Sequence, residues 1–369
     1  MKHIEHSEQK PSFVYVNFHS SPKIKTKVGK TDRYKGAFDF LFLLTEHFNI
    51  TVFDFIGINT SFEKQGVKFH YKKKKSNSKW RLPFFLFLRL RKLKPSIVYV
   101  QGLGYPHFIY IMKLFLKQDT RIIVHDHANR IPSSSLKRFF FKKTDPLINY
   151  YLFSSKLLAQ PWLNLGLIAS DNKVIECVEG STSFRYSSEI KKDKNTFMWV
   201  GRLDDNKDPM TIVKAFSGYI KTNTKATLQM FYVENLLENE LYDFILKNDL
   251  QERIILKGAL PNHELELWYQ RSTYFILGSH KEGGPFSLIE AMACGCIPIV
   301  TSIPAFHAMT NSGTCGFLFE PGNEKHLLDI LLQLDASSFE EKRDKVLYQF
   351  ENELSHSSIA LRIKRAALS

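Results

Sequence analysis

One segment of the sequence, residues 274–298, constrains the fold and the chemistry of this chain more than any other. Its apolar residues 274–277 predict a buried strand, and a loop with two glycines and a proline follows at residues 283–285. Strong helix formers then continue to Gly295, which predicts a helix that ends there. The loop therefore supplies unpaired backbone N–H groups at a helix N-terminus, where a phosphate group is stabilised.

Two carboxylates flank the start of this predicted helix. Glu282 lies before it, and Glu290 lies about two turns inside it. Two turns advance a helix by roughly 11 Å, so we expect the two side chains at different heights of one groove rather than as a pair. The alternative interpretation is a buried strand-helix unit that carries two incidental glutamates.

The segment resembles the E-x7-E motif of the retaining glycosyltransferases of family 4. In that family the loop reads E-G-F-G or E-G-x-P, and a helix with the pattern E-A-M-A-x-G-x-P follows. Residues 282–285 match the second form of the loop, and residues 290–298 match the helix. The resemblance implies an α/β chain of the GT-B fold, with two Rossmann-like doubly wound domains that face each other across a cleft.

The resemblance also assigns roles to single residues. Glu290 would accept hydrogen bonds from the ribose hydroxyls of the donor, and Glu282 would hold the transferred sugar. The loop that starts at Gly258 would face the base, and backbone N–H groups at the start of the helix would meet the sugar and the distal phosphate. The substrate-binding residues implied in this way are Gly258, Gly283, Gly284, Pro285, Phe286, Ser287, Leu288 and Glu290.

Two cations follow the strand predicted at residues 197–200. Arg202 can clamp a diphosphate through its planar fork, and Lys207 can do so as a point charge. Both match the G-R-L-x-x-x-K motif of the resembled family, which binds the donor diphosphate, stabilises the leaving group and replaces the charge of a metal. The alternative is a surface loop in which both cations pair with neighbouring aspartates. Those aspartates are Asp204, Asp205 and Asp208.

The strand predicted at residues 121–124 ends in a segment that contains two histidines. The resemblance places a histidine of this segment at the reacting sugar, with His127 as the first candidate and His125 as the second. A histidine that is bonded within its own loop is the alternative. The resemblance further implies that residues 30–36 form the acceptor-side loop, although the Gly-Gly pair that is usual in the family is absent.

A chain of 369 residues exceeds one ordinary core and suits two domains. Short apolar runs alternate with helical stretches, which predicts parallel sheets wrapped by helices, and the polar residues 191–195 are typical of a linker. We therefore expect an acceptor-binding domain at residues 1–190 and a nucleotide-sugar-binding domain at residues 191–345. Residues 346–369 would form a C-terminal helix that returns to the first domain, as the resemblance implies.

The net charge of +14 is unevenly distributed. Residues 1–190 contain 31 Lys and Arg against 14 Asp and Glu, whereas the remaining residues contain 20 against 23. Residues 71–94 are the most basic segment and include aromatic residues, which is typical of a segment lying on an anionic membrane surface. A solvated loop followed by an ordinary helix at residues 84–93 explains the same composition. No nucleic-acid-binding motif accompanies the charge.

Composition also bears on the compartment. No apolar run approaches the roughly 20 residues of a membrane span, and the first residues lack the apolar core of a signal peptide. We expect a cytoplasmic protein, located at the inner face of the membrane if residues 71–94 bind it. The four cysteines fit this compartment, and we expect Cys294 and Cys296 to be buried small residues rather than metal ligands.

These features together predict a retaining, metal-independent glycosyltransferase without a cofactor. Its donor would be a nucleotide diphosphate sugar, and its acceptor a glycan or a lipid-linked glycan of cell-surface polysaccharide synthesis. The sequence leaves two alternatives open, a non-catalytic nucleotide-sugar-binding subunit and a GT-B-fold sugar-nucleotide epimerase. It does not identify the base, the sugar or the linkage.

Overall fold

The computed structural model of the chain describes residues 10–25, 36, 38–73, 82–127, 129–233, 235–335 and 338–369. The chain divides into two compact units. The first contains Met1–Gly180 and Ile359–Ser369, and the second contains Ser181–Ser358. Each unit is built around one sheet, with eight strands in the first and six in the second among the described residues.

The first unit has a mostly parallel sheet in which the strand order reverses once. Its strands are β1 (Ser12–Ser21), β2 (Asn49–Ile56), β3 (Thr60–Lys64), β4 (Val67–Lys73), β5 (Ile97–Gln101), β6 (Arg121–His125), β7 (Tyr150–Phe153) and β8 (Val174–Glu176). Their order in the sheet is β3-β4-β2-β1-β5-β6-β7-β8, and β3 alone pairs antiparallel, with β4. The chain thus builds outward in both directions from β1, and the order switches between β1 and β5.

Helices cover this sheet because its central strands are apolar on both faces. The helices of the first unit are α1 (Asp39–Leu44), α2 (Phe84–Leu93), α3 (Pro106–Lys113), α4 (Ser135–Thr144) and α5 (Lys156–Asn164). Helix α2 has the bounds predicted from the sequence, and its Leu86, Phe87 and Leu90 lie in the same buried cluster as Val98 of β5. The burial of such side chains, at about 25 cal/mol per Å² of apolar area, holds the layers together.

The second unit has an entirely parallel sheet with the same kind of reversal. Its strands are β9 (Asp193–Gly201), β10 (Thr227–Tyr232), β11 (Ile254–Gly258), β12 (Ser272–Leu277), β13 (Ile297–Thr301) and β14 (Phe317–Phe319), in the order β11-β10-β9-β12-β13-β14. Its helices are α6 (Pro209–Tyr219), α7 (Glu238–Lys247), α8 (Asn262–Arg271), α9 (Phe286–Ala293), α10 (Pro304–Met309), α11 (Glu324–Leu332) and α12 (Phe339–Gln349). The order switches between β9 and β12.

The single C-terminal helix predicted over residues 346–369 is interrupted. A π-helical turn, Phe350–Leu354, follows α12, and a new helix, α13 (His356–Leu368), begins after Ser355, which has extended backbone angles. From Ile359 onward the chain belongs to the first unit. There Lys364 Nζ lies 2.9 Å from His47 Nε2, and the Ser369 hydroxyl donates to the Tyr150 hydroxyl at 2.8 Å.

The prediction of a linker at residues 191–195 is wrong, and the units divide at 180/181 rather than at 190/191. Lys192 is buried, and its ammonium group donates to the backbone carbonyls of Tyr269 at 2.9 Å and Ser272 at 2.7 Å. Residues from Asp193 onward already form β9. Charged residues usually mark exposed chain, but here carbonyl acceptors make a buried lysine acceptable.

Two further predictions fall partly outside the described residues. Residues 30–35 of the proposed acceptor-side loop and residues 74–81 of the basic segment lie outside the described residues, and the start of that segment is strand β4 rather than loop. The four cysteines are buried free thiols. None of the helices in the described ranges is long and apolar enough to cross a membrane.

Lys192 provides a test of this packing. We expect Lys192→Met to lower the free energy of unfolding by about 1–3 kcal/mol, because two buried carbonyls lose a charged donor. Lys191→Met, at an exposed neighbouring position, is the matched control and should change it by less than about 0.5 kcal/mol. Urea unfolding followed by fluorescence measures both, and equal effects of the two variants would contradict the buried role.

Candidate functional site

The candidate site lies at the carboxyl ends of β9 and β12, where the strand order of the second unit reverses. These two strands are neighbours in the sheet although about seventy residues separate them in the chain. The loops that leave them, residues 202–208 and 278–285, therefore emerge side by side. Such a reversal leaves room between the two loops, which is where open α/β sheets bind ligands.

An ion pair joins the two loops. Lys207 Nζ lies 2.6 Å from Glu282 Oε1, and the two side chains are only 10% and 13% exposed. Asn206 adds a second link, because its amide donates to the carbonyl of Lys281 at 3.1 Å while its own carbonyl accepts from the backbone N–H of His280 at 2.8 Å. The structure thus brings together Lys207 and Glu282, which the sequence analysis assigned to donor binding from separate motifs.

Arg202 has a different partner. Its guanidinium pairs with Asp204 at 3.0 Å, and its side chain is 48% exposed. Asp204 also accepts from the backbone N–H of Lys207 at 3.0 Å, so this aspartate fixes the turn that carries both cations. The described residues include no group of three or more His, Cys, Asp or Glu side chains arranged to hold a metal ion.

Asp208 and His280 also lie at the site, although neither belongs to the two motifs of the sequence. Asp208 has a left-handed backbone (φ 43°), caps helix α6 by accepting from Thr211 N–H at 3.3 Å, and lies 3.2 Å from His280 Nε2. A Cβ on Gly278 would lie 3.0 Å from the Asp208 carbonyl, so glycine is required for this close approach. The signal that was available is an aspartate directly before a proline, which predicts a helix N-cap.

The N-terminus of α9 faces the end of the second loop without a side-chain cap. Pro285 occupies the N-cap position, and no side-chain hydrogen bond caps the helix. The first backbone N–H groups of a helix have no intrahelical acceptor, so those of Phe286 and Ser287 are available to a ligand. Gly284 has φ 145°, which favours glycine, whereas Leu288 is buried and its N–H donates to the Pro285 carbonyl at 3.2 Å.

Glu290 is half-buried just over one turn inside α9, rather than the two turns predicted, because the helix begins only at Phe286. It does not share the partner of Glu282. Its Oε2 accepts from the Tyr269 hydroxyl at 3.2 Å. Loss of hydration raises the pKa of Glu290 to about 7, although the tyrosine hydrogen bond opposes this shift. The carboxyl group is therefore close to half-ionised near neutral pH. The two glutamates have separate partners, as their spacing in the sequence predicted.

Gly258 lies apart from these residues in the sheet order. It ends β11, which is an edge strand, and its φ of +67° favours glycine. A Cβ added at this position would meet nothing within 4 Å. The assignment of the loop at Gly258 to the base of the donor stays a prediction.

The two candidate histidines of the first unit have opposite environments. His125 is fully buried, contacts the Tyr99 hydroxyl and the Cys177 carbonyl, and burial lowers its pKa to about 4. His127 is 63% exposed and contacts the carboxylate of Glu179. His127 is thus the histidine that a ligand can reach, and its catalytic role stays a prediction.

Comparison with known proteins agrees with this geometry. Residues 181–349 match the sequence model of the family described as glycosyl transferases group 1. A GDP-mannose:cellobiosyl-diphosphopolyprenol alpha-mannosyltransferase of Xanthomonas oryzae pv. oryzae is 26% identical over 124 residues, which are 33% of each chain. A UDP-Gal:alpha-D-GlcNAc-diphosphoundecaprenol alpha-1,3-galactosyltransferase of Escherichia coli is 26% identical over 39% of this chain and 38% of its own length. The alignments thus span between a third and two fifths of those relatives.

A solved structure extends the likeness to nearly the whole chain. The glycosyltransferase from Rickettsia africae ESF-5 superposes with a TM-score of 0.71 at 16% identity, over 97% of this chain and 98% of its own. At that identity the likeness concerns the fold. It confirms the prediction of an α/β chain of the GT-B class with two Rossmann-like units.

The raised pKa of Glu290 predicts a pH-dependent stability difference. The folded state holds the Glu290 proton up to about pH 7, whereas the unfolded chain releases it near pH 4.5. The stability contributed by the neutral form is complete below pH 4.5 and is lost progressively as pH rises to 7. As pH rises from 4.5 to 7, the thermal stability of Glu290→Gln should therefore increase relative to that of the wild type. Above pH 7 the difference between the two proteins should stay constant. A gap that does not change between pH 4.5 and 7 would contradict the shift.

Proposed function

We propose, from the match of residues 181–349 to the sequence model of glycosyl transferases group 1, that the protein is a retaining, metal-independent glycosyltransferase. It transfers a sugar from a nucleotide diphosphate sugar to a hydroxyl of a glycan or lipid-linked acceptor in cell-surface polysaccharide or lipid-linked glycan synthesis. The observation that carries the proposal is the buried Lys207–Glu282 pair between two loops at the reversal of a Rossmann-like sheet. No cofactor is required in this proposal.

The pair supplies one group for each half of the donor. The diphosphate offers Lys207 a second anion, and the sugar hydroxyls offer Glu282 neutral donors, so a donor can bind both residues without leaving a buried charge unpaired. The N–H groups of Phe286 and Ser287 at the start of α9 are suited to a phosphate oxygen. Glu290 is suited to the ribose hydroxyls once it is ionised.

Bond changes in the proposed reaction balance within donor and acceptor. The bond between the anomeric carbon and the diphosphate oxygen breaks, and its electron pair leaves with the diphosphate. The acceptor oxygen bonds to the same face of that carbon, and its proton passes to the departing phosphate oxygen. Charge develops on the diphosphate, where Lys207, the free donors of Arg202 and the α9 N-terminus stabilise it and make a metal unnecessary. His127 is proposed to contact the transferred sugar.

Nucleotide release tests the proposal directly. The purified protein is incubated with UDP-, GDP- and ADP-sugars in the presence of EDTA, with and without membrane extract as a source of acceptor. Release from one donor that is lost in Glu290→Ala supports metal-free transfer and identifies the base. A donor that binds without release under both conditions would indicate the non-catalytic binding subunit instead.

Helix α2 supports a peripheral location at an anionic membrane surface. It buries one face in the first unit, yet Phe84 and Leu88 are 55% and 52% exposed and Phe85 is 40% exposed. The exposed cations on and directly after the helix are Arg89, Arg91, Lys92 and Lys94. Apolar side chains beside cations match the chemistry of an anionic bilayer interface. We propose contact with the cytoplasmic leaflet through this helix, as part of the segment 71–94.

Lys207 should matter for turnover far more than for folding. We expect Lys207→Met to lower kcat/KM by about 100- to 1000-fold, because a preorganised cation is lost where charge develops. Lys214→Met, at an exposed position of α6, is the matched control and should keep wild-type rates. Because Lys207→Met leaves Glu282 without its cation, the double variant Lys207→Met/Glu282→Gln separates a folding defect from a catalytic one. Near wild-type activity of Lys207→Met would contradict the proposed role of Lys207 in stabilising the departing diphosphate.

Membrane contact is tested by co-sedimentation with vesicles of phosphatidylcholine and phosphatidylglycerol. We expect Phe84→Ser/Leu88→Ser to weaken binding about tenfold or more, because two apolar anchors are lost. Tyr242→Ser/Leu246→Ser, at exposed apolar positions of α7, should have no effect. Wild-type protein that fails to sediment with these vesicles at low salt would contradict the contact.

A further inference from the structure

The first unit contains a pocket at its own strand reversal. The pocket has a volume of about 450 Å³ and is lined by the end of β1, the loop after β5, and the loop after β6 together with helix α4 that follows it. The strand order of this unit switches between β1 and β5, so the pocket lies where an open α/β sheet leaves space for a ligand. Of the residues already assigned to the donor, only His127 lies in this unit, and its backbone N–H donates to the side-chain oxygen of the lining residue Asn129 at 3.3 Å.

The lining of this pocket is polar and basic. Arg130 and Lys137 contribute to it together with the exposed His19, and none of the described residues in the lining is acidic. Asn129 also lines the pocket. Its side-chain oxygen accepts from the Leu103 N–H at 2.7 Å, so its amide NH₂ remains as a donor on the pocket side. Such a set of donors is complementary to an anion.

Helix α4 strengthens this complementarity. It begins at Ser135, and its N-cap residue Ser134 makes no side-chain hydrogen bond to it. Lys137 lies in the first turn, where a positive charge is unfavourable next to the positive end of the helix dipole. A lysine therefore costs stability at this position unless an anion binds there. An anion in the pocket would be stabilised by Lys137, which is in the lining together with Phe141 of the same helix.

A second observation also points to a ligand. Ser20 lines the pocket, and its buried hydroxyl has no hydrogen-bond partner among the described residues. Buried polar groups are paired in most native structures, and each exception requires an explanation. A ligand oxygen in the pocket would provide the missing partner once the half-buried Ser20 side chain turned toward it.

We propose that this pocket, formed around Arg130, Lys137, Asn129 and Ser20 and here named the phosphate pocket, binds a phosphate or diphosphate group of the acceptor. The proposal rests on the proposed function, because it makes the acceptor a phosphorylated molecule rather than a neutral glycan. Both a lipid diphosphate and a soluble sugar phosphate carry this chemistry. Leu136 and Phe139 of α4 are 52% and 53% exposed, which is compatible with a lipid chain leaving the pocket along this helix.

Inorganic pyrophosphate is the first probe, because its binding does not depend on transferase activity. Calorimetry is performed on a background variant, Arg202→Gln/Lys207→Met, which removes the cations of the donor site. We expect one pyrophosphate per chain to bind to this background. Adding Arg130→Gln/Lys137→Gln should weaken binding about tenfold or more, since two charged donors are lost.

The matched control is Lys142→Gln/Lys156→Gln. It removes the same charge from the same unit, at the last turn of α4 and the first turn of α5, outside the pocket. This control should leave pyrophosphate binding unchanged. Lys137→Arg, used in place of Lys137→Gln, should restore most of the binding. No binding to the background variant, or equal losses in both pairs of substitutions, would overturn the proposal.

Two competitors identify the source of the phosphate. Phosphatidylcholine vesicles that contain undecaprenyl diphosphate should displace pyrophosphate if the acceptor is a lipid, and glucose 1-phosphate should displace it if the acceptor is soluble. If no donor is turned over but pyrophosphate binding requires Arg130 and Lys137, the proposed transferase function is rejected and the proposed phosphate pocket is retained. If a donor is turned over but pyrophosphate binding does not depend on these two residues, the phosphate pocket is rejected and the transferase function is retained.

Discussion

The ion pair between Lys207 and Glu282 is the interaction on which the site of the second unit depends. It joins two loops that are far apart in the chain and adjacent only because β9 and β12 pair in the sheet. Both side chains are largely removed from water, so much of their attraction is offset by lost hydration, and the pair contributes little net stability. Its consequence is geometric, because a cation and a carboxylate are held ready at one edge of the sheet with their usual hydration already removed.

Strand reversal produces a second binding geometry in the first unit. There β1 and β5 leave a pocket that is lined by cations and amide donors, without a carboxylate among its described lining residues. The two reversals differ in chemistry in a way that their ligands would explain. A site that must hold a diphosphate and a sugar combines a cation with a carboxylate, whereas a site that holds only a phosphate needs donors alone.

Much of the fold follows from local patterns in the sequence. Helix α2 has the bounds that its apolar residues predict, because burial sets both the length and the face of such an element. The hairpin of β3 and β4 was missed because β3 is largely exposed and polar, and β8 and β14 are too short to show a period. Lys192 misled the prediction of the linker, since the carbonyls that accept its hydrogen bonds come from residues far along the chain.

The residues of the site could be predicted from sequence motifs, but the contacts between them could not. The two motifs indicated Arg202, Lys207 and Glu282, yet only the strand order shows that Lys207 meets Glu282 while Arg202 pairs with Asp204. Likewise the sequence ranked His127 before His125 but did not show their difference in burial, which is what decides that a ligand can reach His127. No motif in the sequence indicates the phosphate pocket, because its residues come from three separated segments of the chain.

A crystal structure with a bound nucleoside diphosphate tests directly whether Lys207 and the start of α9 bind the diphosphate of the donor. Crystals are soaked in turn with UDP, GDP and ADP, and the distance from Lys207 Nζ to the nearest phosphate oxygen is measured. We expect a hydrogen-bonded distance of about 3 Å for one of these nucleotides, with further phosphate oxygens at the N–H groups of Phe286 and Ser287. A nucleotide bound with its phosphates away from Lys207 and the start of α9, while the Lys207–Glu282 pair stays unchanged, would contradict it.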